Sequence, residues 1–195
     1  MRASAARCFI VRHCESSGRA AESPLTERGS VQADRLADVF SSRRVERIIS
    51  SPTRRALDSI TPTAALHRVD IQEDAQLAEW EIPWIADTDW PRSFRHVLSG
   101  RLPLPSHAEQ VASARNRAVA FLHRVMREGS GPAILVTHGK ILSLLLGHLR
   151  DSDPFEEFLA IGNPHVFEVS GAVPNCEVRT LWSPADPPQT GASRP

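Results

Sequence analysis

Cys8-Phe9-Ile10-Val11-Arg12-His13 sets four apolar residues before an arginine and a histidine, and Ala133-Ile134-Leu135-Val136-Thr137-His138-Gly139 repeats the device far along the chain. Short apolar runs of this kind read as strands buried on both faces. A parallel α/β sheet gathers ligand and catalytic groups at the carboxyl ends of its strands, so two histidines distant in sequence can share one pocket.

Working outward, further strands are expected at Arg47 to Ile49, Val166 to Val169 and Val178 to Leu181. A helix is expected from Thr26 or Glu27 to Phe40, with Thr26 as N-cap and Val31, Leu36, Val39 and Phe40 as its apolar stripe. Ser50-Ser51-Pro52 opens a second helix on Ala56, Leu57, Ile60 and Ala64, which Pro62 is expected to kink or end. A third runs from about Ala108 to Glu128, and a fourth starts at Gly139 or Lys140. The alternation gives an α/β fold, read as a three-layer α/β/α sandwich on a mostly parallel central sheet.

At 195 residues and 41% hydrophobic content the chain suits one domain with a sizeable core. Residues 1–6 and the Pro-rich stretch from about 184 have the composition of loose tails. Lys+Arg 23 balances Asp+Glu 23, so no global field holds nucleic acid or an anionic membrane, and any anion site must be local. No apolar stretch reaches the ~20 residues that span a bilayer. The cysteines, Cys8, Cys14 and Cys176, are an odd set without metal-type pairing, and no leader-like segment precedes the first strand; a cytoplasmic address is expected. There is no Gly-x-Gly-x-x-Gly and no Walker loop, so no nucleotide-binding loop is indicated.

Phosphate monoesters are inert enough that enzymes supply up to ~10²¹-fold acceleration. Most of it comes from positioning and from positive charge around the equatorial oxygens. Arginine supplies that charge with a fork matched to phosphate. Arg12 leaves the first strand beside His13, and Arg55 lies one turn into the second helix, whose N–H groups add attraction for an anion. A neutral His13 could attack phosphorus if its other ring nitrogen donates to a carbonyl or carboxylate. His138 offers a second imidazole for the far side of the phosphate. A carboxylic acid must protonate the leaving alkoxide, and Glu79 and Glu81 are the choices.

Five segments, in order, carry a resemblance: Val11-Arg12-His13-Cys14-Glu15; Pro24-Leu25-Thr26-Glu27-Arg28-Gly29 with Gln32-Ala33; Ile49-Ser50-Ser51-Pro52-Thr53-Arg54-Arg55-Ala56; Leu77-Ala78-Glu79; and Val136-Thr137-His138-Gly139. In these the chain resembles the histidine phosphatase superfamily, which includes the phosphoglycerate mutases and the histidine acid phosphatases. Asn163-Pro164-His165-Val166-Phe167 is similar to an Asn-led final strand of many relatives. The resemblance implies a phosphoglycerate mutase-like fold, a small phosphorylated substrate, no metal and no cofactor. It makes His13 the phosphorylated nucleophile, Arg12, Arg55 and His138 the phosphate holders with Gly139 and Ser16 beside them, and Glu79 the proton donor. Oligomeric state is left open.

Cys14 stands where the family has a glycine, and Trp80-Glu81-Ile82-Pro83-Trp84 departs from its usual continuation. The stretch from Pro83 to His107 is modest beside the family's mutases, which favours a phosphatase; an idle phosphate-binding module ranks last, because all five catalytic positions hold competent residues. A cysteine-dependent phosphatase loop from Cys14 to Arg19 is one residue too short to encircle a phosphate, so Cys14 reads as a small residue on the pocket floor. His67, His123 and His148 read as ordinary helix residues, whereas His96, His107 and His165 are candidates for the pocket mouth. Arg43, Arg44 and Arg47 read as a solvated helix end. Arg92, Arg95 and Arg101 are either an exposed charged loop or readers of a second anionic group.

Overall fold

The computed structural model describes residues 7–83, 89–129 and 131–184. The expected loose tails, 1–6 and the residues after 184, lie outside the described residues. In chain order the elements are β1 (Arg7–Arg12), α1 (Glu27–Phe40), β2 (Arg47–Ser50), α2 (Arg54–His67), β3 (Ile71–Glu73), α3 (Trp90–Leu98), α4 (Val111–Glu128), β4 (Ala133–Thr137), α5 (Gly139–Arg150), α6 (Pro154–Ala160), β5 (His165–Ala172) and β6 (Asn175–Trp182). A 3-10 turn occupies Ala75–Leu77.

The strands form one sheet in the order β3-β2-β4-β1-β5-β6. β3, β2, β4 and β1 pair in parallel, whereas β5 runs antiparallel to both of its neighbours. Strand side chains alternate between faces. Phe9, Val11, Ile48, Ile134 and Val136 meet α1 and α2 through Leu36, Phe40 and Ile60. Cys8, Ile10, Leu135, Phe167 and Val169 belong to the other face, with α4, α5 and α6. Full burial of a residue such as Phe40 or Phe121 contributes about 1.5–3 kcal/mol, and a one-residue slip of β1 would exchange the two sets. The three-layer α/β/α arrangement follows from this alternation.

Some details depart from the sequence reading. Val31 is 54% exposed, and the α1 stripe runs through Ala33, Leu36, Ala37, Val39 and Phe40. Pro62 does not end α2, which continues to His67 and closes on Arg68 in the left-handed region (φ 57); the buried Ile60, Thr63 and Ala64 around it hold the helix despite the missing donor. Arg43 and Arg44 follow the end of α1, but Arg47 opens β2 and donates to Glu128 at 2.7 Å. β3, α3 and α6 are additional elements: β3 has only three residues and is largely exposed, and α3 and α6 are short. No described helix is long and apolar enough to cross a membrane.

β1 and β4 lie side by side in mid-sheet, with Arg12 opposite Thr137. The chain moves from β1 out to β2 and β3 and returns through β4, so this pair marks a change of winding direction, where α/β sheets open a crevice. His13 and His138 leave the sheet there together.

Candidate active site

Arg12, His13, Arg55 and Glu79 line one cleft of about 750 Å³, with Ser16 and Gly139 also on its surface. The backbone N–H of His13 donates to Thr137 O at 3.0 Å, and Asn163 Nδ2 donates to His13 O at 2.7 Å. Asn163 O accepts from Gln32 Nε2 at 2.8 Å, and Gln32 Oε1 accepts from Glu15 N at 2.8 Å. These amides fix the backbone on both sides of the nucleophile candidate.

His13 Nδ1 lies 2.6 Å from the Cys14 carbonyl oxygen. A carbonyl only accepts, so Nδ1 carries the proton and Nε2 keeps its lone pair. Burial lowers the His13 pKa to about 4, and the Arg55 and Arg12 charges press the same way against the carbonyl bond. The ring is therefore neutral near pH 7, the state a nucleophile requires.

Arg12 donates to Ile161 O at 2.5 Å and lies 5.8 Å from the centroid of Phe158. Its Nε is buried with no hydrogen-bond partner. Arg55 is held by the carbonyls of Arg19 and Ala20 at 3.1 and 2.9 Å, and by His138 Nδ1 at 3.2 Å. Burial lowers the pKa of both arginines, with Glu79 acting in the opposite sense. Gly139 eases this packing, because a Cβ there would lie 3.0 Å from Arg12 Cζ and 3.1 Å from Phe158, closer than side chains ordinarily pack. Ser16 donates to Gly18 O at 3.0 Å in the loop bordering the cleft.

His138, expected to hold the phosphate, is not on the cleft surface but packs behind its lining. Its ring centroid is 5.0 Å from that of His13, yet the residue is only 1% exposed. Arg55 can only donate, so His138 Nδ1 accepts and Nε2–H donates to Ser51 Oγ at 2.7 Å. Burial and the neighbouring His13 and Arg55 lower its pKa to about 2. Both ring nitrogens are thus occupied within the protein.

Glu79 accepts from the backbone N–H groups of Trp80 (2.9 Å), Ile141 (3.0 Å) and Lys140 (3.2 Å), which places its carboxylate at the start of α5. The segment carrying it is anchored from outside. Trp80 is fully buried and donates to Glu109 O at 2.9 Å, and Arg117 ties Glu109 to the carbonyls of Gln76 and Ala78 at 2.6 and 3.2 Å. Glu81 is exposed at the cleft margin.

Cys14 is sealed off, its N–H on Ser59 Oγ at 2.8 Å and its thiol pKa pushed up to about 12 by burial. This is the reverse of an activated thiolate. His96, His107 and His165 do not line the cleft; His165 is buried and stacks on Phe167 at 4.4 Å. Arg95 faces Asp153 and Glu156 at 3.6 and 3.2 Å, and Arg92 and Arg101 are exposed away from the cleft, so the second-anion reading of that group falls. The sequence reading missed Lys140 and Arg19 on the cleft, the tautomer partner Ser51, and a wall from α3 and α6. Ser51 and Lys140 adjoin quoted motifs, but Trp90, Phe94 and Phe158 carry no signal that separates them from ordinary core residues.

Among solved structures, the chain is similar to a phosphoserine phosphatase mutant from Entamoeba histolytica in complex with phosphoserine, at 17% identity over 90% of this chain and 96% of that one, with a TM-score of 0.74. It is similar to the mycobacterial glucosyl-3-phosphoglycerate phosphatase at 21% identity over 94% and 100%, TM-score 0.71, and to the phosphoglycerate mutase of Bacillus anthracis str. Sterne at 17% over 91% and 93%, TM-score 0.71. No curated protein matches it. The profile of the histidine phosphatase superfamily (branch 1) matches residues 8–170, which takes in every residue of the site built above, and the chain belongs to that superfamily.

Proposed function

We propose that the protein is a phosphomonoester hydrolase working through a phosphohistidine. The observation that carries this is His13: a neutral imidazole with its proton fixed on Nδ1 by the Cys14 carbonyl, lining a cleft beside two arginines. His13 Nε2 forms a bond to phosphorus as the ester P–O bond breaks. The leaving oxygen takes a proton from Glu79. Water then attacks the phosphoryl group, its proton passes to the Glu79 carboxylate, the P–N bond breaks, and inorganic phosphate departs.

Arg12 and Arg55 neutralise the charge that spreads over the equatorial oxygens. His138 supports them from behind by orienting Arg55. Similarity to two structures named as phosphatases supports the reading. A cytoplasmic address is proposed beside it, in keeping with the free cysteines Cys8, Cys14 and Cys176. Similarity to a phosphoglycerate mutase favours a second reading, in which a substrate hydroxyl replaces water in the second step.

The test is rapid acid-free quenching with ³²P-labelled phosphomonoester. Labelled protein is expected from the wild type and none from His13→Ala, with free phosphate as the product. Label persisting in His13→Ala would remove the nucleophile assignment, and isomerised ester without free phosphate would favour the mutase.

A further inference from the structure

A phosphoryl group held by Arg12 and Arg55 fills only the inner end of a cleft of about 750 Å³, a size in the range of small-molecule sites. The rest of its lining is sharply divided. We propose that the group esterified to the phosphate is an apolar body, aromatic or branched hydrocarbon, without a second anionic group, and that it lies against Trp90, Phe158 and Leu159. This inference rests on the phosphatase reading and names the substrate class of the same site.

The wall is continuous with the phosphate floor. Arg12 lies over Phe158, and the missing Cβ of Gly139 leaves room for both, so the leaving group emerges beside that ring. Trp90 meets Phe158 edge-on at 5.4 Å between centroids, giving two aromatic surfaces at one corner. Leu159 is 57% exposed, and of the large apolar side chains exposed among the described residues it alone lines the cleft. With Trp90 and Phe158 on the same cleft it makes an apolar stretch of lining, the kind of surface that a ligand covers.

Charge points the same way. On the wall helices, Arg95 faces Asp153 and Glu156, Glu157 binds Arg150 at 2.9 Å, and Arg92 is exposed off the cleft. On the cleft itself Arg12, Arg19, Arg55 and Lys140 are set against Glu15, Glu79 and Glu81. With Glu79 carrying the proton that it gives to the leaving oxygen, that leaves two positive charges in excess, which a phosphate dianion already consumes. A second carboxylate or phosphate on the substrate finds no surplus to meet it.

The test compares 2-phenylethyl phosphate with glycerol 3-phosphate and 3-phosphoglycerate on the full chain. All three are esters of primary alcohols, so their contrast reports the body of the leaving group rather than its basicity. The kcat/KM for 2-phenylethyl phosphate is expected to exceed the other two by about tenfold or more, chiefly through KM. Leu159→Asp, at an exposed position, is expected to shrink that ratio about fivefold with an unchanged thermal midpoint, and Leu159→Met to preserve it. A wild-type ratio of one or less, or a ratio that Leu159→Asp leaves untouched, overturns the inference. Failure to hydrolyse any of the three would instead overturn the phosphatase reading on which it rests.

Discussion

β1 and β4 end side by side and each hands one histidine to the same corner, but the two imidazoles are put to opposite use. His13 bonds through Nδ1 to a carbonyl and presents the remaining nitrogen at the cleft; His138 has an arginine on Nδ1 and a serine on Nε2 and is sealed. The residue type and the position at a strand end are the same. What differs is whether the protein spends one ring nitrogen or two. In the proposed mechanism the partner's ability to donate or accept, more than the histidine itself, separates the reactive ring from the supporting one.

The largest expected effect breaks the comparison at its reactive end. His13→Asn should cut kcat by about 10³-fold or more and abolish phosphoenzyme, whereas His138→Asn should cost only about 10- to 100-fold, both read by steady-state and single-turnover kinetics. Equal losses would erase the distinction between the two rings. Glu79→Gln should lower turnover of an alkyl phosphate by about 10²- to 10⁴-fold and that of 4-nitrophenyl phosphate much less, because the latter leaving group needs no proton. Glu81→Gln should do neither.

Next is the supporting ring. Ser51→Ala leaves the His138 Nε2–H with only the distant Thr53 Oγ1 at 3.5 Å and should cost about 1–3 kcal/mol in urea unfolding, with only a several-fold loss of rate. The finest contrast is in acid. His13 must be neutral to attack, so the acid limb of kcat/KM, corrected for substrate ionisation, should fall near pH 4. Both folded-state pKa values are depressed, so the unfolded chain binds more protons as pH drops below the ordinary histidine range. Stability should therefore decline on acidification from about pH 6.5 through pH 4, and less steeply in His138→Asn. An unchanged slope would mean that His138 is not held neutral by its surroundings.

Much of this frame was legible in the sequence because strand ends and helix starts are marked by local chemistry. Apolar runs closing on Arg12-His13 and Thr137-His138-Gly139 located the two central strands, and Thr26 does cap α1, its side chain accepting from Gly29 N at 3.0 Å. What stayed hidden depends on which groups meet across the fold. Nothing in Thr137-His138-Gly139 tells whether the histidine faces substrate or Ser51, and nothing in Arg95 reveals the carboxylates of Asp153 and Glu156 waiting at the start of α6. Val31 kept the helical period but fell on the outer side of α1, since three or four apolar residues per two turns suffice to fill the buried stripe. The α3 and α6 wall was unreadable for a related reason: an aromatic residue in a short helix looks the same whether it meets core or cleft.

The fastening of the Glu79 segment has a consequence for how this catalyst is tuned. Arg117 and Glu109 do not line the cleft, yet through Trp80 and the Gln76 and Ala78 carbonyls they set where Glu79, the proposed proton donor, stands. On the proposed mechanism, leaving-group tolerance is therefore adjustable through Arg117 on α4, a residue that does not touch Arg12 or Arg55.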